Sequence, residues 1–596
     1  MLQNTLPLQR TITRSDSDYD YRGLPLIRRA NFLYRYCPPS WSVRANGDCC
    51  WRKPTVITYA VCQLFTTLRR LIVRLSYNNN LLLQESPMTN YSVTPLRRWP
   101  ALLISSSFFI ITVGPIYAQV PGALDEARGI RINSDQASPG YVLFSPANSG
   151  RTYLIDNDGQ AINVWQSDHG TGHSVYMREN GNVVRAGRIA DHPHHAGGQG
   201  GQIQEWTWEG ELVWDYRLAN EDYYQHHDIA LLPNGNVLAV VWEYKSAEQA
   251  RDAARRPDVL TETGLWPEAI LELEPLGYDN ARVVWEWHVW DHLIQDFDPD
   301  AANYGVVSEH PELVNINSDA MSVSGARLEE LRGSSEIAQL DADENPTAPD
   351  FMHFNSISYN PELDQIVMSS NSFGEFWVID HSTSTEEASS SAGGRSGKGG
   401  DILYRWGRAS NYDRGGDRPQ SLYNQHHVRW IEEGLSGAGN ITLFMNNFPG
   451  PRGNQSVVVE LAPPMDDQGR YVIEDGEQFG PNFPAWIYMA NDGPSFHSPF
   501  ISSAHRLPSG NTFIASGAQG RFFEVTQEGE IVWEYWSPYA GEPDLPFHEK
   551  LMEDNAPNFY MAFRAIKISP GFPGLAGKDL SQMSPQPPRV PHPPQN

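Results

Sequence analysis

Short apolar strands separated by polar turns fill the chain from about residue 140 to residue 570, and this alternation predicts β-structure almost throughout. A unit recurs within it. A polar, often His-bearing strand start runs into a Gly-Asn or Gly-containing turn, and an apolar strand follows. One copy is His173-Ser-Val-Tyr-Met-Arg-Glu-Asn-Gly-Asn-Val-Val, and a second is His227-Asp-Ile-Ala-Leu-Leu-Pro-Asn-Gly-Asn-Val-Leu. Ser503-Ala-His-Arg-Leu-Pro-Ser-Gly-Asn-Thr-Phe is a third, and looser copies begin at His353 and His426. Groups end on a strand that carries Trp, as in Arg282-Val-Val-Trp-Glu-Trp and in the stretch ending Ile531-Val-Trp-Glu-Tyr. Each group is therefore an up-and-down sheet of the kind that makes a propeller blade.

Five strand starts are visible, at His173, His227, His353, His426 and Ser503. A sixth, around Phe559-Tyr-Met-Ala-Phe-Arg-Ala-Ile-Lys-Ile, has no outer strands after it, while residues 141–165 are outer strands with no inner one before them. Joining the two predicts an all-β fold, a six-bladed β-propeller over residues 119–575 closed by strands from both ends of the body. Ser246 begins an insertion and is placed to cap a short helix. Residues 382–400, rich in Ser, Thr and Gly, are expected to form a mobile loop. The Pro-rich tail, 576–596, has little to pack and is expected to be extended or disordered.

Charge divides the chain unevenly. Residues 1–118 hold 14 basic and 5 acidic residues, the remainder 30 and 67, and the formal total is -28. An acidic body lacks the Lys and Arg clusters that nucleic-acid binding needs. All four cysteines (Cys37, Cys49, Cys50 and Cys62) fall in the basic part, so the body has no disulfide framework, thiolate metal site or Cys nucleophile. From Met88 the chain has a basic start, an apolar run from Ala101 to Gly114 and a small residue before Gln119, which together resemble a secretory signal over 88–118. The run is too short for an ordinary spanning helix of about 20 residues. A signal would not work behind 87 further residues, so 1–87 is expected to be a non-native upstream extension or disordered. The expected location is periplasmic or secreted, with no stable membrane span after cleavage.

All 18 histidines follow residue 118, and several stand at strand starts, where inner strands meet the mouth of a central channel. A single strand His is ordinarily packed or exposed; His at matching places in four of six blades points to a shared site. His173, His226 or His227, His353, and His426 or His427 are the candidates. Strand alternation puts His353 and Asn355 on one face, able to donate to one anion, and prevents both members of an adjacent His pair from facing the channel. No metal is expected, since no His-Glu-x-x-His or Cys pair occurs and the Asp191-His-Pro-His-His195 cluster leads into a flexible Gly-rich loop. No Gly-x-Ser-x-Gly elbow, Walker motif or dinucleotide fingerprint is present, and no cofactor is expected. What is left is a group of imidazoles with an amide nearby. It suits an anionic group, with one neutral His as nucleophile and others stabilising an oxyanion.

His226-His-Asp-Ile-Ala-Leu-Leu-Pro-Asn-Gly-Asn, Val284-Trp-Glu-Trp-His-Val-Trp-Asp-His-Leu, Met352-His-Phe-Asn-Ser-Ile, Gln425-His-His and Gly520-Arg-Phe-Phe-Glu-Val-Thr together resemble the bacterial arylsulfate sulfotransferases. The resemblance implies a secreted six-bladed propeller that moves a sulfuryl group from a phenolic sulfate donor to a phenolic acceptor. It implies ping-pong transfer through a sulfohistidine, without a nucleotide sulfate donor or metal. Carried over by motif, His426 is the nucleophile, and His227, His353 and Asn355 hold the sulfuryl oxygens and polarise the ester oxygen. His226, His427 and His173 are further substrate-binding candidates. Three departures stand out. Asn371 occupies the place of an Arg that grips sulfate in better-studied members, with Arg564 in the closing strand a candidate replacement. His427 leaves the nucleophile ambiguous by one residue, and the body lacks a disulfide that some members carry. A propeller that binds an anionic or aryl ligand without turnover, or an ester hydrolase on the same His ring, is the alternative.

Overall fold

The structure is a computed structural model and describes residues 41–43, 49–51, 128–147, 149–189, 196–257, 260–318, 349–350, 352–415, 421–541 and 560–589. The chain divides into two units, Met1–Thr112 and Val113–Asn596. In the first, Trp41–Val43 pairs antiparallel with Cys49–Trp51. The signal-like segment 88–118 and the Asp191–His195 cluster lie outside the described residues.

Six antiparallel sheets and one small parallel pair, Leu293–Ile294 with Val314–Asn315, are described in the second unit; the six are the blades. Their inner strands are Thr171–Met177, Tyr223–Leu231, Phe354–Asn360, Gln425–Trp430, Ser503–Arg506 and Ala562–Ile568, for blades 1 to 6 in that order. Each inner strand contacts the next around a closed ring, with the sixth against the first. Blade 6 is composite: Ala562–Ile568 pairs with Tyr141–Pro146, followed outward by Arg151–Ile155 and Ala161–Gln166. Gly129–Asn133 adds a fifth strand to the outside of blade 5. The fold is a six-bladed β-propeller.

The Trp of each outer strand explains how neighbouring blades are held. Its indole N–H donates to the hairpin or insertion between the third and fourth strands of the next blade. Trp214 reaches Asn280 O at 3.0 Å, Trp285 reaches Thr383 Oγ1 at 3.1 Å, and Trp406 reaches Pro481 O at 2.8 Å. Trp486 reaches Gln527 O at 2.8 Å, Trp533 reaches Asn157 O at 2.9 Å, and Trp165 returns to Thr207 O of blade 1 at 2.8 Å. All six boundaries carry the same contact. Each covers a large apolar ring and satisfies an indole N–H, a hydrogen bond worth about 1 kcal/mol net.

The Asn after the turn Gly also has a task. Asn182, Asn236, Asn440 and Asn511 donate to Glu205, Glu272, Glu460 and Glu524 on the third strand of their own blades. Each carboxylate also takes a basic side chain: Arg178, His381, Arg506 and Lys567 respectively. The last three come from the following blade, so these latches also join neighbours.

The insertions differ from expectation in one respect. Ser246 does cap the helix Ala247–Asp252, in a capping box with Gln249. Residues 382–400, expected to be mobile, are tied down instead. Ser384 and Glu387 form a capping box, Asp380 accepts from Ser382 and the Ser396 amide, and Trp287 donates to Gly400 O at 2.7 Å. Small polar residues here satisfy backbone groups against blade 2. The tail is likewise anchored as far as it is described. The Met583 amide and the Gln586 carboxamide bond to Ala161, and Leu580 and Met583 pack on apolar clusters.

Candidate functional site

Histidines stand where the inner strands begin, on backbone that a non-Gly residue seldom adopts. His173, His227, His353 and His427 have φ of 90°, 49°, 56° and 50°. Register slips follow at the same places, between Thr171 and Val175, Gln225 and Ile229, Phe354 and Ser356, and His426 and Arg429. These are β-bulges, which re-aim side chains and concentrate at functional sites. They correct the alternation rule applied to the sequence. His353 precedes its strand in left-handed conformation, so its spacing from Asn355 does not put the two on one pleated face.

The bulges gather four imidazoles around Phe563 of blade 6. His227 lies 4.4 Å from His353 and 5.7 Å from His173 between ring centres. Phe563 lies 4.8 Å from His173, 6.1 Å from His227 and 6.4 Å from His426. The other member of each adjacent pair turns away. His226 stacks on Trp242 at 4.0 Å and bonds Glu268, while His427 Nδ1 packs on the Ala504 peptide of blade 5.

His426 is held in one tautomer. Asn446 donates through Nδ2 to the carbonyls of Ser498 and Ile501, each at 2.8 Å, so its Oδ1 is the acceptor facing His426 Nδ1 at 2.7 Å. His426 therefore carries its hydrogen on Nδ1 and keeps a lone pair on Nε2. Burial pushes its pKa down to about 3, so the ring is neutral. Burial does the same to His173 and His226, each lowered to about 3, and carries His227 well below the ordinary range, with neighbouring imidazoles adding repulsion. Both ring nitrogens of His173 are buried and without a hydrogen-bond partner. The His353 side chain is 25% exposed, and its Nδ1 faces Asp350 Oδ2 at 2.5 Å. Asp350 Oδ1 accepts from Trp242 Nε1 at 3.0 Å.

The two amides and the guanidinium each have partners within the protein. Asn355 Nδ2 donates to Gln425 O at 2.7 Å, and Asn371 Nδ2 donates to the same carbonyl and to Asn424 Oδ1, each at 2.8 Å. Both thus hold the strand that presents His426. Arg564 Nη1 pairs with Asp228 Oδ2 at 2.6 Å and bonds the Tyr176 hydroxyl, which itself donates to Asp228 Oδ1. Its charge is compensated just beneath the imidazoles. No group of three or more metal-ligating side chains occurs among the described residues.

The Gly-rich run after His195, expected to be flexible, is bound across the site from Ala196 on. His227 N–H donates to Gly198 O at 2.7 Å, and the Gly200 and Gly201 amides bond Gln225. Gly198 has φ of 91°, and a Cβ there would stand 1.9 Å from His227 Cε1. Only Gly lets this segment lie so close to the ring. Sequence reasoning missed Gly198, Asn446, Asp350, Glu268 and Phe563. Asp350, three residues before His353, had the clearest signal.

A propeller with imidazoles grouped at the starts of its inner strands is thus the class that fold and site define. The profile of the arylsulfotransferase (ASST) family matches residues 131–538, most of the second unit. The chain belongs to that family, whose members are sulfotransferases acting on small aryl substrates. No curated protein matches it. Among solved structures it is similar to a protein of unknown function from Bacteroides caccae, at 11% identity and TM-score 0.37 over 72% of this chain and 99% of that one. It is also similar to a catalytically inactive virginiamycin B lyase from Staphylococcus aureus with quinupristin, at 10% identity and TM-score 0.29 over 69% and 88%. A putative 6-phosphogluconolactonase from Bacteroides fragilis NCTC 9343 gives 9% and 0.31 over 73% and 99%. The fold rests on the sheets above, not on these likenesses.

Proposed function

We propose that this protein transfers a sulfuryl group from a phenolic sulfate ester to a phenolic acceptor by way of a sulfated His426. The observation that carries this is the Asn446 clamp, which leaves a neutral imidazole with a lone pair on Nε2 beside three other imidazoles. In the first half-reaction Nε2 attacks sulfur, the S–O bond to the aryl group breaks, and the phenolate leaves. His353, as an imidazolium whose Nδ1–H is held by the Asp350 carboxylate, stabilises charge on that oxygen and gives it the Nε2 proton, becoming neutral. His227 and the second amide hydrogen of Asn355 meet the sulfuryl oxygens. In the second half-reaction an acceptor phenol gives its proton to the site and attacks sulfur, the N–S bond breaks, and His426 is regenerated. No nucleotide donor or metal takes part in these steps.

Asn371 and the compensated Arg564 shape how the anion is met. The charge of Arg564, the candidate replacement for that Arg, is met by Asp228, so donors on the rings carry more of the binding. This also favours a second reading, a propeller that holds an aryl anion without turnover. Incubating the protein with an aryl sulfate alone and mapping label by mass spectrometry separates the two. Transfer predicts sulfate on His426 and loss of phenol release by a factor of at least about 1,000 in His426→Ala. Absence of label across several aryl donors overturns the proposal in favour of binding. Export is proposed as well, on the signal-like segment and the Cys-free body; among the described residues no helix is long and apolar enough to cross a membrane. Cleavage near Gln119, read by N-terminal sequencing of the exported protein, would support it.

A further inference from the structure

Behind His227 runs a line of buried groups that sulfuryl transfer as described leaves without a task. Glu268 Oε2 lies 2.7 Å from His226 Nε2, and His226 Nδ1 lies 2.8 Å from His227 Nδ1. Glu268 and His226 are fully buried and His227 is nearly so. The plane of His226 is set by Trp242, on which it lies flat with the rings 7° apart. Glu268 Oε1 is occupied as well, accepting the Phe354 amide at 2.9 Å.

Each link in this line holds one hydrogen, so the state of Glu268 dictates which nitrogen of His227 carries a proton. Were Glu268 a carboxylate, His226 would give it the Nε2 hydrogen and take one from His227 Nδ1. His227 Nε2 would then be a bare acceptor, repelling a sulfuryl oxygen. With Glu268 a carboxylic acid the direction reverses. Glu268 donates to His226 Nε2, His226 Nδ1 donates to His227 Nδ1, and the His227 hydrogen sits on Nε2.

A second carboxyl group decides between these. Asp350 has two donors, His353 Nδ1 at 2.5 Å and Trp242 Nε1 at 3.0 Å. Burial works against its charge, but His353, with His226 and Trp242, outweighs it and holds the carboxyl below the usual range. Glu268 has the opposite balance. Burial, then the Asp350 charge, carries its carboxyl well above the usual range, against weaker opposition from the Phe354 amide and His353. Two carboxyl groups in one buried pocket are driven apart, one ionised and one neutral.

We propose that Glu268, as a neutral acid, and His226 are positioning residues that hold His227 in its Nε2–H tautomer, so that it donates to the sulfuryl oxygens. This rests on the sulfuryl-transfer reading of the site and adds the source of one of its donors. Neither residue touches substrate; both act through His227.

The test compares Glu268→Gln with Glu268→Met in the full chain. The Gln carboxamide donates to His226 as the acid does and still accepts from Phe354, whereas Met fills the space without a hydrogen bond. Glu268→Met should lower kcat for a phenolic sulfate by roughly 100-fold, the scale of losing one oxyanion donor. Glu268→Gln should restore most of that rate. Equal loss in both variants would mean that an ionised Glu268 is required, and full activity in Met would mean that the line has no role; either overturns the proposal. Nitrogen-15 resonances of His227, assigned by comparison with His227→Gln, test it without turnover. Nε2–H is expected in the native protein and in Glu268→Gln, and an Nδ1–H signature in the native protein would refute the relay. If the native protein transfers no sulfuryl group while His227 shows Nε2–H, the function fails and the relay stands.

Discussion

The Trp residues at the rim and the His residues at the axis come from the same repeat, yet the blades copy them with different fidelity. At the rim all six outer strands supply an indole N–H, and all six use it on the next blade. At the axis four blades supply an imidazole to the cluster, and blade 6 supplies Phe563 with Arg564 behind it. Closing a ring poses the same demand at each boundary, and identical contacts meet it. Chemistry on a bound anion poses unlike demands. In the proposed transfer one imidazole must keep a lone pair, another must deliver a proton and a third must donate. The neighbours Asn446, Asp350 and Glu268 make chemically similar rings behave differently. Repetition holds the molecule together, and departures from it carry the proposed reaction.

Three experiments press on this contrast, beginning with the largest effect. Gly198→Ala places a methyl group against the His227 ring on backbone that favours Gly. It is expected to cut kcat/KM at least about 100-fold by displacing that ring, with folding cooperativity retained. Unaltered kinetics would show that the segment across the site is incidental. At the rim, Trp533→Phe keeps most of the apolar ring and loses the bond to Asn157 O. A stability loss of about 2 kcal/mol by urea titration is expected, with kcat/KM unchanged. A matching fall in kcat/KM would dissolve the separation between rim and axis.

The smallest effect concerns the one titratable latch. Among the four described carboxylate latches, His381 stands where the others have Arg or Lys. Burial tends to lower its pKa, but hydrogen bonds to Glu272 and Asp364, at 2.9 Å each, outweigh burial and raise it above 6.5. A raised folded-state value stabilises most below the unfolded pKa of about 6.5 and fades as pH climbs through the folded value. The stability gap between the native protein and His381→Gln should therefore be widest in mild acid and narrow with rising pH. A gap that does not change with pH would show that His381 acts through packing alone.

Much of the architecture was legible in the chain because it repeats. Six strand starts, Trp-bearing outer strands and the orphaned strands of residues 141–165 pointed to a six-bladed ring, and the Ser246 cap was visible locally. The site was legible only in part. Histidines mark strand starts, but whether His226 or His227 meets the cluster depends on a bulge, and a bulge has no periodic signature. Asn446 and Glu268 lie in apolar strands of the same blade as the rings they serve, and Phe563 comes from the far end of the chain; nothing in the local sequence marks any of them. The Ser/Gly-rich run of 382–400 misled for a related reason. Its composition matches a mobile loop, while its hydroxyls and amides are taken up by Asp380, Glu387 and Asp401.

Blade 6 has a consequence for the order in which the protein is made. After Gly129–Asn133 of blade 5, its three outer strands are the next to leave the ribosome, and its inner strand leaves last. That late strand carries Phe563, against which three of the clustered imidazoles lie, and Arg564, which neutralises Asp228. A nascent chain halted before Ala562 holds every histidine of the cluster yet has neither a closed ring nor a floor beneath them. Competence thus arrives in a single late event, when the final strand docks beside strands that have waited for it since the start of the body.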